Sequence, residues 1–312
     1  MAHLAKRLLA TYKRTVQRFV KPSLRSQPES AVAWVVHARH ILPALPEQTR
    51  TLIKHHDLHQ GGHAITYFEN DIVKEAGAKL RQLASNPDAG ATAAAIEEIV
   101  RWLTVKQCAQ AHSEGLYFAH AESHMAKQWN DIIWSIIKDA DFAHTVELAC
   151  GHGRNTEFLR RLAKTVDLVD VNQSCIEACR QRFGSEKDGC SFRYHVTSGN
   201  VLPVGDATMT FGYSWDSMVH FDKLVVQDYV REFARVLKSG GTAFLHHSNY
   251  GAVAPDSSWT KNHGNRSDMT AELMRDYAQQ SGLTIKFQRL SGTADGWGID
   301  RLDCLSLLQK PH

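Results

Sequence analysis

No run of about 18 uninterrupted apolar residues occurs anywhere in the 312-residue chain, so a membrane-spanning helix is not expected. The N-terminus lacks an apolar core followed by small residues, the pattern of a secretory leader. Cysteine is sparse and scattered, at positions 108, 150, 175, 179, 190 and 304, with no Cys-x-x-Cys pair to suggest a zinc or disulfide framework. Thiols without a leader point to a reducing cytoplasm. Internal repeats and low-complexity linkers are also missing, which removes solenoids and tethered arrays. What remains is an ordinary globular balance, 43 % apolar and 22 % charged, with enough chain to bury a core.

The net charge of +3 is unevenly placed. Residues 1–25 hold Lys6, Arg7, Lys13, Arg14, Arg18, Lys21 and Arg25 and no acid. The rest of the chain is therefore net acidic, a poor surface for nucleic acid. Leu4, Leu8, Leu9, Tyr12, Val16, Phe19 and Val20 fall at helical spacing among those cations. Such a helix suits an anionic membrane face, or docking on its own protein or on a second copy in a homo-oligomer.

Residues 29–105 read as helical segments broken at Pro43, Pro46, Gly61-Gly62 and Asn86-Pro87. His55, His59 and His63 hint at a metal cluster, but the glycine pair interrupts their shared face. The pattern divides the chain into a helical region, 1–110, an aromatic-rich helical lid or linker, 111–140, and an α/β domain, 141–312. In the last part strands are expected at 145–149, 166–171, 191–196, 208–214, 241–247, 284–290 and 302–308. Helices are expected near 154–164, 173–183, 222–237 and 268–281. Strand–helix alternation predicts a mostly parallel sheet covered on both faces, and the helix-free link at 291–300 predicts a final antiparallel hairpin.

The chemistry concentrates in Val146-Glu147-Leu148-Ala149-Cys150-Gly151-His152-Gly153-Arg154-Asn155, a strand running through Gly-x-Gly toward a helix. Thr156 stands where the third glycine of a dinucleotide fingerprint would be, which weakens a pyrophosphate site. Glu147, at the strand end, suits a ligand ammonium. Asp170, 19 residues after Gly151, ends the next strand, where an acid can accept both hydroxyls of a ribose. Asn200 follows the third strand and could meet an adenine edge.

Together these residues resemble the class I S-adenosylmethionine-dependent methyltransferases, across about residues 141–310. The resemblance implies a seven-stranded Rossmann-like sheet with its last strand antiparallel. It also implies S-adenosyl-L-methionine as cofactor and S-adenosyl-L-homocysteine as product. Glu147, Gly151, Gly153, Asp170 and Asn200 match that family's cofactor motif. Ala149, Asn155, Val171, Val201 and Trp215 are implied to complete the site.

After the fourth strand, Trp215-Asp216-Ser217-Met218-Val219-His220 lies where such sheets place their acceptor, and it contains no Asn-Pro-Pro-Tyr or Pro-Cys signature of base methylation. His220 is the first-choice general base, with Asp216 orienting it or acting itself. His246-His247 ends the fifth strand, one histidine on each face, and His247, nearer the end, is preferred as the substrate-facing one. Mg²⁺ at Asp216 is a second route to a reactive hydroxyl, but no ligand triad accompanies it, so no metal site is assigned. Trp259, Asn262, His263, Asn265, Arg266 and Asp268 suit a sugar ring or a solvated loop equally. With Tyr117, Glu122, Gln128 and Trp129 they are similar to sugar O-methyltransferases of bacterial surface-glycan clusters. The expected activity is O-methylation of a small polar acceptor, a sugar or glycan hydroxyl first, with phenolic, protein and RNA acceptors as alternatives.

Overall fold

The computed structural model describes residue 105 and residues 115–253, 266–292 and 297–312. They belong to a compact unit, Thr104–His312. The basic N-terminal helix, the His55/His59/His63 group and most of the polar stretch after residue 253 lie outside the described residues.

Eight strands form one sheet in the order β3-β4-β2-β1-β5-β6-β8-β7. They are β1 (His144–Leu148), β2 (Thr165–Asp170), β3 (Glu186–Lys187), β4 (Cys190–Val196), β5 (Met209–Ser214), β6 (Leu237–Ser248), β7 (Thr284–Leu290) and β8 (Asp303–Gln309). The run from β4 through β2, β1 and β5 to β6 is parallel, and β8 inserts antiparallel between β6 and β7. The seven expected strands are all present. The eighth, β3, is a two-residue edge ribbon on β4, too short for a periodic pattern to announce.

Helices α1 (Gly115–Gln128) and α2 (Trp134–Ile137) are joined by a π-helical turn, Trp129–Ile133. They pack Met125, Trp129, Ile133 and Ile137 on the sheet face that carries Phe211, Tyr213, Trp215 and Phe244. The expected helix at 154–164 shrinks to one α-helical turn, α3 (Thr156–Leu159). Next come α4 (Gln173–Phe183), α5 (Lys223–Val236), the short α6 (Tyr250–Val253) and α7 (Ala271–Gln280). Asp222 caps α5 by accepting from the Leu224 amide, and Thr270 caps α7 by accepting from Leu273. The α5 residues Val225, Val226, Tyr229, Val230 and Phe233 bury a continuous stripe over the opposite sheet face, with Val146, Leu148, Val169 and Leu245. Both faces are thus covered, and the carboxyl ends of the parallel strands are left to form a crevice.

No helix among the described residues is long and apolar enough to cross a membrane.

Candidate active site

A cavity opens at the carboxyl ends of β1, β2, β4 and β5. Its floor is the β1–α3 loop. Gly151 (φ +54°) and Gly153 (φ +79°) both adopt the left-handed conformation, where a side chain would be strained. A Cβ on Gly151 would stand 2.6 Å from the Phe118 ring, and one on Gly153 would stand 2.4 Å from the Phe183 ring. The loop is therefore pressed between α1 and α4, and its backbone approaches the cavity. Over it, the Phe118 and His152 rings stack at 3.8 Å between centroids, and burial lowers the His152 pKa.

Asp170 ends β2 at the cavity wall. One carboxylate oxygen accepts from the Gly151 amide and the other from Asn172, each at 2.9 Å, so the acid is fixed across the mouth of the loop. Glu147 is 1 % exposed and lies behind the loop, outside the cavity lining. Its Oε2 accepts from the Thr156 hydroxyl at 2.6 Å, while its Oε1 has no hydrogen-bond partner. Burial, only partly offset by the Thr156 bond and by Arg154, pushes the Glu147 pKa up to about 8. Thr156, read as a departure from the dinucleotide fingerprint, thus partners the acid of the same motif.

At the end of β5, Trp215 and Asp216 line the cavity. The Trp215 indole donates to Gln128 Oε1 at 3.2 Å, joining β5 to α1. Asp216 has φ +57°, a left-handed backbone on a residue that is not glycine. Its Oδ2 accepts from Arg154 Nη2 at 2.8 Å, and its amide donates to His246 Nδ1 at 3.1 Å. Burial raises the Asp216 pKa, but Arg154 foremost pulls it below the ordinary carboxylate value. Asn155, also in the lining, accepts from the buried Tyr213 hydroxyl at 3.0 Å.

Among the sequence candidates, Ala149, Gly151, Asn155, Asp170, Val171, Trp215 and Asp216 share the cavity wall. Gly153 packs against α4 beneath it. Asn200 and Val201 are not in the lining; Thr197 and Gly199 occupy the wall there, and Val201 is 45 % exposed. The turn places the earlier residues inward and sends the next two out. His220 sits on the loop after β5, its amide donating to Ser217 O at 3.0 Å, and is not in the lining.

The preference for His247 is corrected. Along β6, His247 shares the α5 face with Leu245 and is fully buried; its Nδ1 meets Ser248 O at 2.8 Å and its Nε2 meets Ser306 Oγ at 2.9 Å. His246 shares the other face with Phe244 and stands against Trp215, ring centroids 4.5 Å apart. Alternation separates the two histidines, but only the packing decides which one looks toward Asp216. Sequence reasoning also passed over Arg154, although it immediately follows the second glycine. A cation one residue beyond Gly-x-Gly was the available signal.

The wall brings together a carboxylate at Asp170, a side-chain-free loop at Gly151 and an acid at Asp216. Among the described residues no three His, Cys, Asp or Glu side chains gather as a metal site.

Residues 146–241 match a protein family described as a methyltransferase domain. The fold is similar to that of an S-adenosylmethionine-dependent methyltransferase from Clostridium acetobutylicum, at 17 % identity and TM-score 0.50, covering 63 % of this chain and 98 % of that one. It is also similar to S-adenosylmethionine-dependent methyltransferases from Methanosarcina mazei (16 % identity, TM-score 0.44, 57 % of this chain and 97 % of that) and Leishmania major (11 %, 0.46, 61 % and 73 %). No curated protein matches the chain. Over residues 146–241 the chain thus matches a methyltransferase domain, on a Rossmann-like sheet, which supports a methyltransferase enzyme.

Proposed function

We propose that the protein transfers the methyl group of S-adenosylmethionine to an oxygen of a small polar acceptor, with a sugar or glycan hydroxyl as the first candidate. The observation that carries this reading is Asp216, an acid at the end of β5 in the cavity wall, held ionised beside Arg154. Asp170 would hold the ribose, the Gly151 loop the amino-acid tail, and Thr197 and Gly199 the base end. When bound, the cofactor supplies an electrophilic methyl on a sulfonium, open to in-line attack.

The chain's own part is to place the attacking oxygen and remove its proton. A carboxylate with a lowered pKa is a weak proton acceptor, so Asp216 orients the hydroxyl by accepting its hydrogen bond. His220, on the loop after β5, is the group proposed to take that proton, as a neutral imidazole. The acidic body disfavours RNA.

Residues 111–140 act in this reading as a lid, supported by Phe118 and Glu122 in the cavity wall. The basic segment 1–25 would hold the enzyme at the cytoplasmic membrane face, a role that liposome binding unchanged by its deletion would remove. The test of the main proposal is methyl transfer from radiolabelled S-adenosylmethionine to a panel of nucleotide sugars and oligosaccharides, with and without EDTA. Turnover that survives EDTA and falls in His220→Ala, with cofactor binding intact, supports it. Loss to EDTA moves the chemistry to a metal, and turnover only on phenols, proteins or RNA replaces the acceptor.

A further inference from the structure

We propose that His246 is a positioning residue that fixes the backbone of Asp216 at the methyl-transfer end of the cavity. The inference rests on the reading of Asp216 given above for its catalytic meaning, but not for the geometry.

A left-handed backbone at a non-glycine residue is unfavourable and persists only where the surroundings over-determine it. At Asp216 two restraints of different kind converge. Arg154 holds the carboxylate, through Oδ2 at 2.8 Å. His246 holds the main chain, because its Nδ1 accepts the Asp216 amide at 3.1 Å. An ion pair alone leaves the peptide plane free to turn, since the side chain can follow its partner. The amide bond does not.

Accepting that bond requires a lone pair on Nδ1, so the ring hydrogen lies on Nε2. Nε2 faces Asp303 Oδ2 at 3.6 Å, longer than a hydrogen bond but close enough for the carboxylate to favour that tautomer. Asp303 is 4 % exposed and is gripped by Arg266, whose Nε and Nη2 donate to its two oxygens at 2.9 and 2.8 Å. The imidazole plane is set in turn by Trp215 at 4.5 Å and by the edge-on Trp297 at 5.3 Å. Arg266, Asp303 and His246 therefore form a line of buried or half-buried groups ending on one amide, the amide of the acid in the cavity wall. His246 itself is 3 % exposed and absent from that wall, so it acts through Asp216 rather than on a ligand.

The test compares His246→Asn and His246→Leu in the full chain. Asparagine carries an acceptor oxygen at the position of Nδ1, whereas leucine keeps bulk without an acceptor. Exchange of the Asp216 amide with deuterium is followed by NMR, and methyl transfer is measured on an acceptor turned over by the wild type. Protection of that amide should persist in the asparagine variant and fall in the leucine variant. The kcat should fall roughly 10- to 100-fold in the leucine variant, with S-adenosylmethionine Kd and melting temperature little changed, and recover largely in the asparagine variant. An Asp216 amide equally protected in the leucine variant, or a leucine kcat equal to wild type, overturns the proposal. Loss of both variants together, asparagine included, also overturns it, since bulk and fold would then explain the effect. Asp216→Asn separates the two readings: an unchanged kcat in that variant defeats the catalytic role of Asp216, while the exchange data still decide the hold of His246.

Discussion

Arg154 Nη2 and Asp216 Oδ2 meet at 2.8 Å, joining the segment after the glycine loop to the end of β5, 62 residues further along the chain. The arginine side chain is 9 % exposed and the aspartate 28 %. Arg154 also donates to Ala121 O at 3.3 Å, so one guanidinium ties together α1, the loop and the proposed acceptor end. Replacing it with methionine leaves Asp216 half-buried without its main counter-charge. The Asp216 pKa should rise, read by carboxyl NMR titration, and stability should fall by about 1–3 kcal/mol. Asp216→Asn in the same chain should return part of that loss; an additive double variant would show that the pair is not coupled.

Glu147 provides an alkaline limb. Its folded pKa, about 8, lies above the ordinary 4.5, so the folded protein holds a proton that the unfolded chain releases earlier. The stability from that proton is complete below about pH 4.5 and is lost as pH rises through 8. Glu147→Gln, neutral at every pH, should flatten this limb. Thermal melts at pH 6 and 9 should differ by roughly 5–10 °C more in the wild type than in the variant. Parallel curves would place the proton elsewhere.

His247 sets the acid limb. Burial, foremost, lowers its pKa from the ordinary 6.5 to about 4, since its ring is enclosed with Ser248 O and Ser306 Oγ. Its contribution is present above pH 6.5 and lost as pH falls through 4, an amount of ~3 kcal/mol. Denaturant titrations of His247→Leu at pH 7 and pH 4 should show a smaller difference than the wild type. The same substitution should leave methyl transfer largely intact, because the ring is fully buried and lies outside the cavity lining.

Gly153→Ala tests the loop. The new Cβ would stand 2.4 Å from the Phe183 ring at φ +79°. Gly189 has nearly the same φ, +81°, with nothing within 4 Å of its Cβ, and so serves as the control for backbone strain alone. The Gly153 variant should lose about 1–3 kcal/mol more than the Gly189 variant and bind S-adenosylmethionine more weakly by calorimetry. Equal losses would mean that α4 yields without consequence for the loop.

The sheet was readable because its strands are apolar runs ending in glycine or an acid: Val146 to Leu148 running to Gly151, Val166 to Asp170. Periodicity and turn residues carry that information locally. The two-residue β3 has no period to read, and α3 looked longer because apolar spacing continues through Leu162 and Ala163 into turns. The candidate site was legible where a motif fixes the backbone, as at Gly151 and Asp170. It was less so where distant packing decides orientation. Nothing near His246 and His247 states that β6 presents its even residues to Trp215. That follows from which helices cover which face. The pairing of Thr156 with Glu147 likewise needs the loop to fold back on its own strand. Asn200 was displaced by a turn whose direction no single residue specifies.

The placement of β8 has a consequence for how the chain is made. β7 has β8 as its sheet neighbour, and β8 reaches the sheet through β6, with Ser248 opposite Asp303 and Thr242 opposite Gln309. During synthesis β7 emerges from the ribosome about twenty residues before the strand it must pair with. Until residue 309 is out, the edge of β6 stands open and β7 has no place to dock. The parallel half, with Glu147, Asp170 and Asp216, can assemble first, yet the line from Asp303 to His246 closes last. A stalled or truncated nascent chain would therefore hold a formed crevice beside an unfinished Asp216 end.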